Sequence, residues 1–432
     1  MAIVRKKSRS SKNAQICAEK PIIVIEDQKS LGVMLQNMLS DRWPCDVHLA
    51  STLKEAKKLI EKNNDYLVAL ADLNLPDAQY DQILDTLNQY NIPTVALTGE
   101  FGDELREKIL SKGVVDYVLK DSINAYSYVV DLIGRLIKNK RIKTLIVDDS
   151  KSIRVLLKNL LEQNGLQVLT ADNAKDAIQQ LQKNSDIKLM LTDFNMPEKS
   201  GVELTVAVRK KLGKEKIAII GISEAHASST TASFLKNGAN DFIHKPLNFE
   251  EVITRVNQNL DMLELLEENF KAANFDFLTN LFNRRSFFGN GQQLVEKAYS
   301  DNKPISIAML DIDFFKRVND TYGHDVGDMV LIEFSELLAK HFRDQITARL
   351  GGEEFAIIFT GIPDSLVLKR LERFRLAIEE MIVEDEEHTI MVTTSIGVVS
   401  NQESNDLDEL LLIADKLLYK AKESGRNRII SS

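Results

Sequence analysis

Short, unbroken apolar runs that end in acid recur along this chain, separated by longer stretches with helical spacing. Ile22 to Ile25 ends in Glu26-Asp27, and Thr144 to Val147 ends in Asp148-Asp149. Leu67 to Ala71 ends in Asp72 and Leu189 to Thr192 in Asp193, each at nearly the same remove from the earlier acids. Val95 to Thr98 matches Ile219 to Ser223, and Tyr117 to Lys120 matches Phe242 to Lys245, with one hydroxyl-to-lysine separation in both pairs. The repeat predicts two copies of one domain, over residues 21–140 and 141–262. Between the runs, stretches such as Ile153 to Leu161 carry apolar residues at threes and fours and predict helices. Continuous apolar strands flanked by helices indicate a parallel sheet buried on both faces.

Beyond the repeat, Ile253, Val256, Leu260, Leu263, Leu266 and Phe270 predict one helix with a narrow apolar seam. It extends the last helix of the second copy into a linker at residues 263–275. The seam fits a coiled-coil pairing and packing against its own domain equally well. From residue 276 to 432 the rhythm changes. Ile305 to Leu310 ends in Asp311-Ile312-Asp313, and the runs Ile346 to Leu350 and Phe355 to Phe359 flank Gly351-Gly352-Glu353-Glu354. Two glycines between apolar runs predict a tight β-hairpin, with its carboxylates at the tip.

Acids at the ends of parallel strands fall where open α/β sheets bind ligands. Carboxylates converging on one point repel one another unless a cation such as Mg²⁺ joins them, and a central Asp can then become an acyl phosphate. The two copies resemble the receiver domain of two-component response regulators, a doubly wound, flavodoxin-like α/β fold. The resemblance implies phosphoacceptors Asp72 and Asp193, with Glu26 and Asp148 acting nearby. It implies metal ligation by Asp27, Asp72 and the Asn74 carbonyl, and by Asp149, Asp193 and the Asn195 carbonyl. Thr98 with Lys120, and Ser223 with Lys245, would read the phosphoryl group, and Tyr117 or Phe242 would be the switching aromatic. The second copy keeps Asp-Asp, Lys245-Pro246 and Gly201. The first departs from the pattern with Glu26, Lys120-Asp121 and no glycine in Pro76 to Tyr80, so a structural adaptor is its alternative role.

The C-terminal motifs are Asp276 to Arg285, Asp311 to Asp328, the Gly-Gly-Glu-Glu-Phe hairpin and Ala414 to Asn427. In that order they resemble the GGDEF family of diguanylate cyclases, an α+β fold like the nucleotidyl cyclase and polymerase palm. The resemblance implies conversion of two GTP to cyclic di-GMP and two pyrophosphates by a homodimer using Mg²⁺ or Mn²⁺. Metal would be held by Asp311, Glu353 and the Ile312 carbonyl, and guanine by Asn319 and Asp328. Lys316, Lys422 and Arg426 would neutralise phosphate; Glu353 would help deprotonate the 3′-hydroxyl, with Glu354 a further catalytic candidate. Arg349 and Asp276 read as a structural ion pair, His324 as a loop residue, Asp313, Asp320 and Asp325 as turn residues, and Phe314 and Phe315 as core. Many relatives carry an Arg-x-x-Asp product site before the two glycines. Here Arg343 and Asp344 are adjacent and out of register, which predicts no product inhibition there. The alternative is a silent GGDEF nucleotide sensor or partner-binding regulator.

The 432 residues suit two to four domains, and a formal charge of −9 argues against broad nucleic-acid or anionic-membrane affinity. Residues 1–20 are basic and Ser-rich, which predicts a disordered tail, and no secretory signal or membrane span is expected. Cys17 and Cys45 form no motif and read as reduced thiols of a cytoplasmic protein. A cognate histidine kinase or phosphotransfer protein is the expected phosphodonor, and no helix-turn-helix pattern points to DNA.

Overall fold

The computed structural model describes residues 20–432 except 44, 100–101, 121–122, 225–227, 386–387 and 401–403; the side chains at 103, 123 and 228–230 are likewise undescribed. Residues 1–19 of the expected tail, with Cys17, and Asp121 therefore lie outside the described residues. The chain divides into two units, Met1–Leu265 and Leu266–Ser432.

The first unit holds two doubly wound α/β domains. In the first, strands β1 (Ile22–Ile25), β2 (Val47–Ala50), β3 (Val68–Asp72), β4 (Thr94–Thr98) and β5 (Asp116–Leu119) alternate with helices α1 (Lys29–Arg42), α2 (Leu53–Lys62), α3 (Tyr80–Gln89), α4 (Asp103–Ser111) and α5 (Ile123–Asn139). All strand pairs are parallel and the order is β2-β1-β3-β4-β5, so the strand order reverses at β1. The second domain repeats this with β6 (Lys143–Val147), α6 (Lys151–Gln163), β7 (Gln167–Ala171), α7 (Ala174–Lys183), β8 (Ile187–Asp193), α8 (Gly201–Arg209), β9 (Ala218–Glu224), α9 (Ser228–Lys236) and β10 (Asp241–Lys245), in order β10-β9-β8-β6-β7. The central strands β1 and β3 are buried throughout and β6 from Thr144 onward, as unbroken apolar runs require when helices cover both faces. Thr52, Ser150, Asn173 and Ser200 start their helices by accepting from backbone N–H groups in the first turn.

Helix α10 runs from Phe249 to Asn274. Val256 and Leu260 of its seam are buried in the core of the second domain and Ile253 packs against it half-buried, whereas Leu266 and Phe270 are exposed. The seam's first half thus packs on its own domain. Arg135 of α5 is buried and donates to Asp261 at 2.8 Å and Glu264 at 2.7 Å on that helix. Cys45 is disulfide-bonded, which overturns the reading of a reduced thiol. Proximity in the fold decides such pairing, and the absence of a sequence motif does not bear on it.

The second unit contains α11 (Arg284–Ser300), β11 (Ile305–Ile312), α12 (Phe315–Tyr322), α13 (His324–His341), β12 (Ile346–Gly351), β13 (Glu354–Thr360), α14 (Asp364–Glu379), β14 (Ile382–Glu384), β15 (Thr389–Met391), β16 (Thr394–Ser400), α15 (Leu407–Glu423) and β17 (Ile429–Ser431). Its main sheet has the order β12-β13-β11-β16-β17, antiparallel except for the β16–β17 pair, and β14 and β15 form a separate hairpin. One apolar core lies under α12, α13 and α14 and another under α11 and α15. A Cβ on Gly397 would sit 2.2 Å from the Ala414 carbonyl oxygen, so only glycine lets α15 lie this close on β16. Among the described residues, no helix is long and apolar enough to cross a membrane.

Candidate functional site

Each of the two N-terminal domains gathers its strand-end acids around a lysine. In the first, Glu26 and Asp72 are buried, and Lys120 Nζ donates to Glu26 at 2.6 Å and is paired with Asp72 at 2.8 Å. Carboxylate oxygens of Glu26, Asp27 and Asp72 all lie within 4.8 Å of one another, with Asp27 exposed at the mouth. Burial raises the Glu26 carboxyl above its ordinary value although Lys120 opposes this. Burial also works against the Lys120 charge, but Asp72 and Glu26 outweigh it and hold the ammonium above the usual lysine range. Asn74 donates its N–H to Asp72 at 3.0 Å, and Thr98 is buried at the end of β4.

The second domain repeats the arrangement with a different spread. Lys245 Nζ donates to Asp193 at 2.6 Å and to Asp148 at 3.4 Å, and both acids are buried. Asp149 is exposed, and its backbone carbonyl accepts from Arg154 at 3.0 Å. Burial raises Asp193, against the pull of Lys245. Asn195 donates its N–H to Asp193 at 2.9 Å, and Ser223 is buried at the strand end. Of the two candidate switch aromatics, Tyr117 is half-buried and Phe242 is buried with its ring edge-on to His244.

In the second unit the hairpin forms as the glycines require. Gly352 has φ 53° and Gly351 φ 152°, conformations that side chains rarely adopt, and the β12–β13 register slips between Arg349 and Gly351. Arg349 fixes the tip by donating to the Gly352 carbonyl at 2.9 Å and to Asp276 at 3.1 Å, so this pair is structural. Asp311, at the end of β11, is 5% exposed and stands opposite Glu354 in the strand register. Lys422, on α15, lies 2.8 Å from Asp311. Burial lifts the Asp311 carboxyl to about 6; Lys422 pulls it down, and Glu353 and Glu354 push it further up. Glu353 is half-buried, Glu354 is exposed, and the Glu353 carbonyl accepts from Ile312 N–H at 3.4 Å.

The Asn319 amide on α12 packs against Gly327, the residue before the exposed Asp328 on α13. A Cβ on Gly327 would sit 1.9 Å from Asn319 Oδ1, so a bare backbone admits the amide. Lys316 is exposed on α12. Arg426 lies with its guanidinium 4.4 Å above the Phe314 ring.

Several minor readings need correction. Phe314 is 59% exposed with φ 57°, so it is not core, whereas Phe315 is buried as expected. The left-handed backbone at Phe314 throws its ring outward, and nothing in the local sequence signals this. Asp313 is no solvated turn residue: it is 3% exposed and accepts from Thr393, Ser395 and Asn427. His324 is the first residue of α13 and not a loop residue, Asp320 lies within α12, and Asp325 sits in the first turn of α13, whose N-cap is Gly323.

A family described as "Diguanylate cyclase, GGDEF domain" matches residues 273–428, and "Response regulator receiver domain" matches residues 22–125 and 144–257. The chain is similar to response regulator PleD of Caulobacter vibrioides, 30% identical over 299 residues, which cover 67% of this chain and 65% of PleD. It is also similar to diguanylate cyclase VdcA of Vibrio cholerae, 36% identical over 195 residues, or 44% of this chain and 55% of that protein. A solved two-component system response regulator/GGDEF domain protein superposes with a TM-score of 0.53 at 36% identity, covering 57% of this chain and 99% of its own.

Proposed function

Because the chain belongs to the response regulator receiver family and carries a GGDEF domain behind two receivers, we propose that it is a phosphorylation-controlled diguanylate cyclase. Residues 21–140 and 141–262 act as receivers, 263–275 as the linker and 276–432 as the cyclase. The observation that carries the reading is Asp311, a buried carboxylate at a strand end with Glu353 and Glu354 close enough to raise its pKa and Lys422 as its cationic partner.

Such a set of hard oxygen donors fits Mg²⁺ or Mn²⁺. Asp311, Glu353 and the Ile312 carbonyl would hold the ion, which when bound neutralises triphosphate charge and makes a nearby 3′-hydroxyl more acidic. Lys316, Lys422 and Arg426 bind the phosphates. Asp328 accepts from guanine N1–H and N2–H, donors that adenine lacks, and Asn319 completes the edge. Glu353 takes the 3′-hydroxyl proton, with Glu354 beside it. The 3′-oxygen of each nucleotide bonds to the α-phosphorus of the other, and a pyrophosphate leaves from each, so catalysis is alignment and charge neutralisation. One domain offers one guanine pocket while the product is two-fold symmetric. A homodimer follows from that symmetry.

In the receivers, Asp72 and Asp193 accept a phosphoryl group from a histidine kinase or phosphotransfer protein. Asp27 with Asp72 and the Asn74 carbonyl, or Asp149 with Asp193 and the Asn195 carbonyl, would hold Mg²⁺, and Thr98 with Lys120, or Ser223 with Lys245, would engage the phosphoryl oxygens. The test is to incubate the full chain with GTP and Mg²⁺, with and without beryllofluoride, and separate the products by chromatography. Cyclic di-GMP that increases with beryllofluoride is the expected result. GTP recovered unchanged under both conditions would sink the reading and leave a silent sensor.

A further inference from the structure

Asp313 lies two positions beyond Asp311, yet its partners come from distant parts of the chain. Its Oδ2 accepts from Thr393 Oγ1 at 2.7 Å and from the Asn427 backbone N–H at 3.0 Å, and its Oδ1 accepts from Ser395 Oγ at 2.7 Å. Its own N–H donates to the Thr393 carbonyl at 2.9 Å. Asn427 is gripped from the other side too: its amide oxygen accepts from Arg375 at 2.7 Å and its amide nitrogen donates to Glu379 at 2.9 Å.

Both backbones that Asp313 joins carry a left-handed non-glycine residue, Phe314 on one side and Arg426 on the other. Phe314 has φ 57°, Arg426 φ 61° and Asn427 φ 47°. Phenylalanine and arginine hold such angles only where the surroundings over-determine them, whereas asparagine adopts them more readily. Between these backbones the Arg426 guanidinium rests 4.4 Å over the Phe314 ring, and Lys422, in the last turn of α15, reaches Asp311 at 2.8 Å. The end of α15 with Lys422 and the turn after it with Arg426 are therefore held on the strand that carries the metal-binding acid, and the buried Asp313 carboxylate ties that turn's backbone beside the direct Lys422 and Arg426 contacts.

We propose that Asp313 is a positioning residue for the triphosphate, acting through Arg426 and Lys422 and touching no nucleotide itself. This rests on the GTP-condensing reading of the site. Its role is geometric, and the negative charge is not required. An asparagine could keep its oxygen toward Thr393 and Asn427 and turn its NH₂ toward Ser395, whose hydroxyl accepts as well as donates. An alanine leaves all three donors without an acceptor.

The test uses the full chain and two measurements: binding of the α,β-methylene analogue of GTP, which cannot release pyrophosphate, and steady-state turnover of GTP. Asp313→Ala should weaken analogue binding and raise KM for GTP roughly ten- to a hundredfold, the scale of displaced positioning groups. Asp313→Asn should stay close to the parent in both. Arg426→Ala added to Asp313→Ala should cost little more, because residues acting through one another are non-additive. Thr393→Val removes a single bond at a half-buried position and should give a smaller loss in the same direction, which keeps the test alive if Asp313→Ala does not fold. The inference is overturned by parent-like binding in Asp313→Ala or Thr393→Val, by Asp313→Asn as impaired as Asp313→Ala, or by additive losses with Arg426→Ala. A parent chain that binds the analogue but makes no cyclic dinucleotide refutes the proposed reaction, while the binding arms still judge Asp313.

Discussion

Replacing Arg135 with methionine should loosen the grip of the first receiver on helix α10, and the structure sets the size of the effect. The Arg135 side chain is 6% exposed and donates to three acceptors: Asp261 at 2.8 Å, Glu264 at 2.7 Å and Asn139 at 2.8 Å. Asp261 is 58% exposed, so its share is discounted to about 0.5 kcal/mol for solvent screening. Glu264 is better shielded, and a charge-assisted bond there is worth about 1.5 kcal/mol. It is not orphaned by the substitution, because Lys138 still reaches its other oxygen at 2.7 Å. Asn139 is 1% exposed, and its oxygen would lose its partner in the interior at a cost of about 1 kcal/mol. Together these give about 3 kcal/mol, or roughly a hundredfold in a local opening equilibrium. Methionine preserves the apolar stem, so packing loss adds little. Amide hydrogen exchange in the full chain is the right assay, since a multidomain chain need not unfold in two states. Exchange should accelerate in the last turns of α5 and in α10 around Asp261 to Leu265, and much less in β6 or β8. Asp261→Asn should accelerate it only slightly. Unchanged exchange in Arg135→Met, or an equal effect from Asp261→Asn, would show that the buried guanidinium does not hold the two domains together.

Two further outcomes follow from the cyclase domain. Burial lifts Asp311 to about 6, so the folded chain holds that proton from the ordinary Asp range up to about 6. The associated stability is fully present below the unfolded value and is lost as pH rises through about 6, whereas metal affinity runs the opposite way. Calorimetric Mg²⁺ titration should therefore show affinity falling roughly tenfold per unit below about pH 6, and a flat profile there would remove Asp311 from the metal site. At the position of the usual product site, Asp344 is engaged by Arg370 at 2.7 and 3.0 Å, and that hydrogen bonding holds its carboxyl well below the usual range. Added cyclic di-GMP should leave turnover unchanged, and tight binding abolished by Arg343→Ala would contradict this.

What could be read from the sequence was whatever repeats locally. Unbroken apolar runs ending in acid specified buried parallel strands and put Asp27, Asp72, Asp148 and Asp193 at the ends of their strands, because strand burial and strand termination are both written within a few residues. The hairpin was legible for the same reason. Asp313 was not: its three donors come from Thr393, Ser395 and Asn427, which no local pattern brings near. Phe314 was missed because a left-handed φ at a phenylalanine has no compositional sign. The α10 seam was visible as a period, but the period does not say that Val256 and Leu260 are buried while Leu266 and Phe270 stay exposed.

The two receivers show how conformity to a pattern differs from completeness of a site. By sequence the second copy is the intact one, and Glu26 in the first looks like a lapse. In the fold, the extra methylene of Glu26 brings its carboxylate to 2.6 Å from Lys120, whereas Asp148 remains 3.4 Å from Lys245. Lys120 thus closes on two buried carboxylates at short range, and Asp27 completes an oxygen cluster within 4.8 Å. A longer acid reaching a lysine is a compensated geometry, since an uncompensated buried carboxylate would cost several kcal/mol. The departure at Glu26 is therefore no ground for treating the first pocket as a relic, and a phosphoryl mimic has to be tried at Asp72 as well as at Asp193.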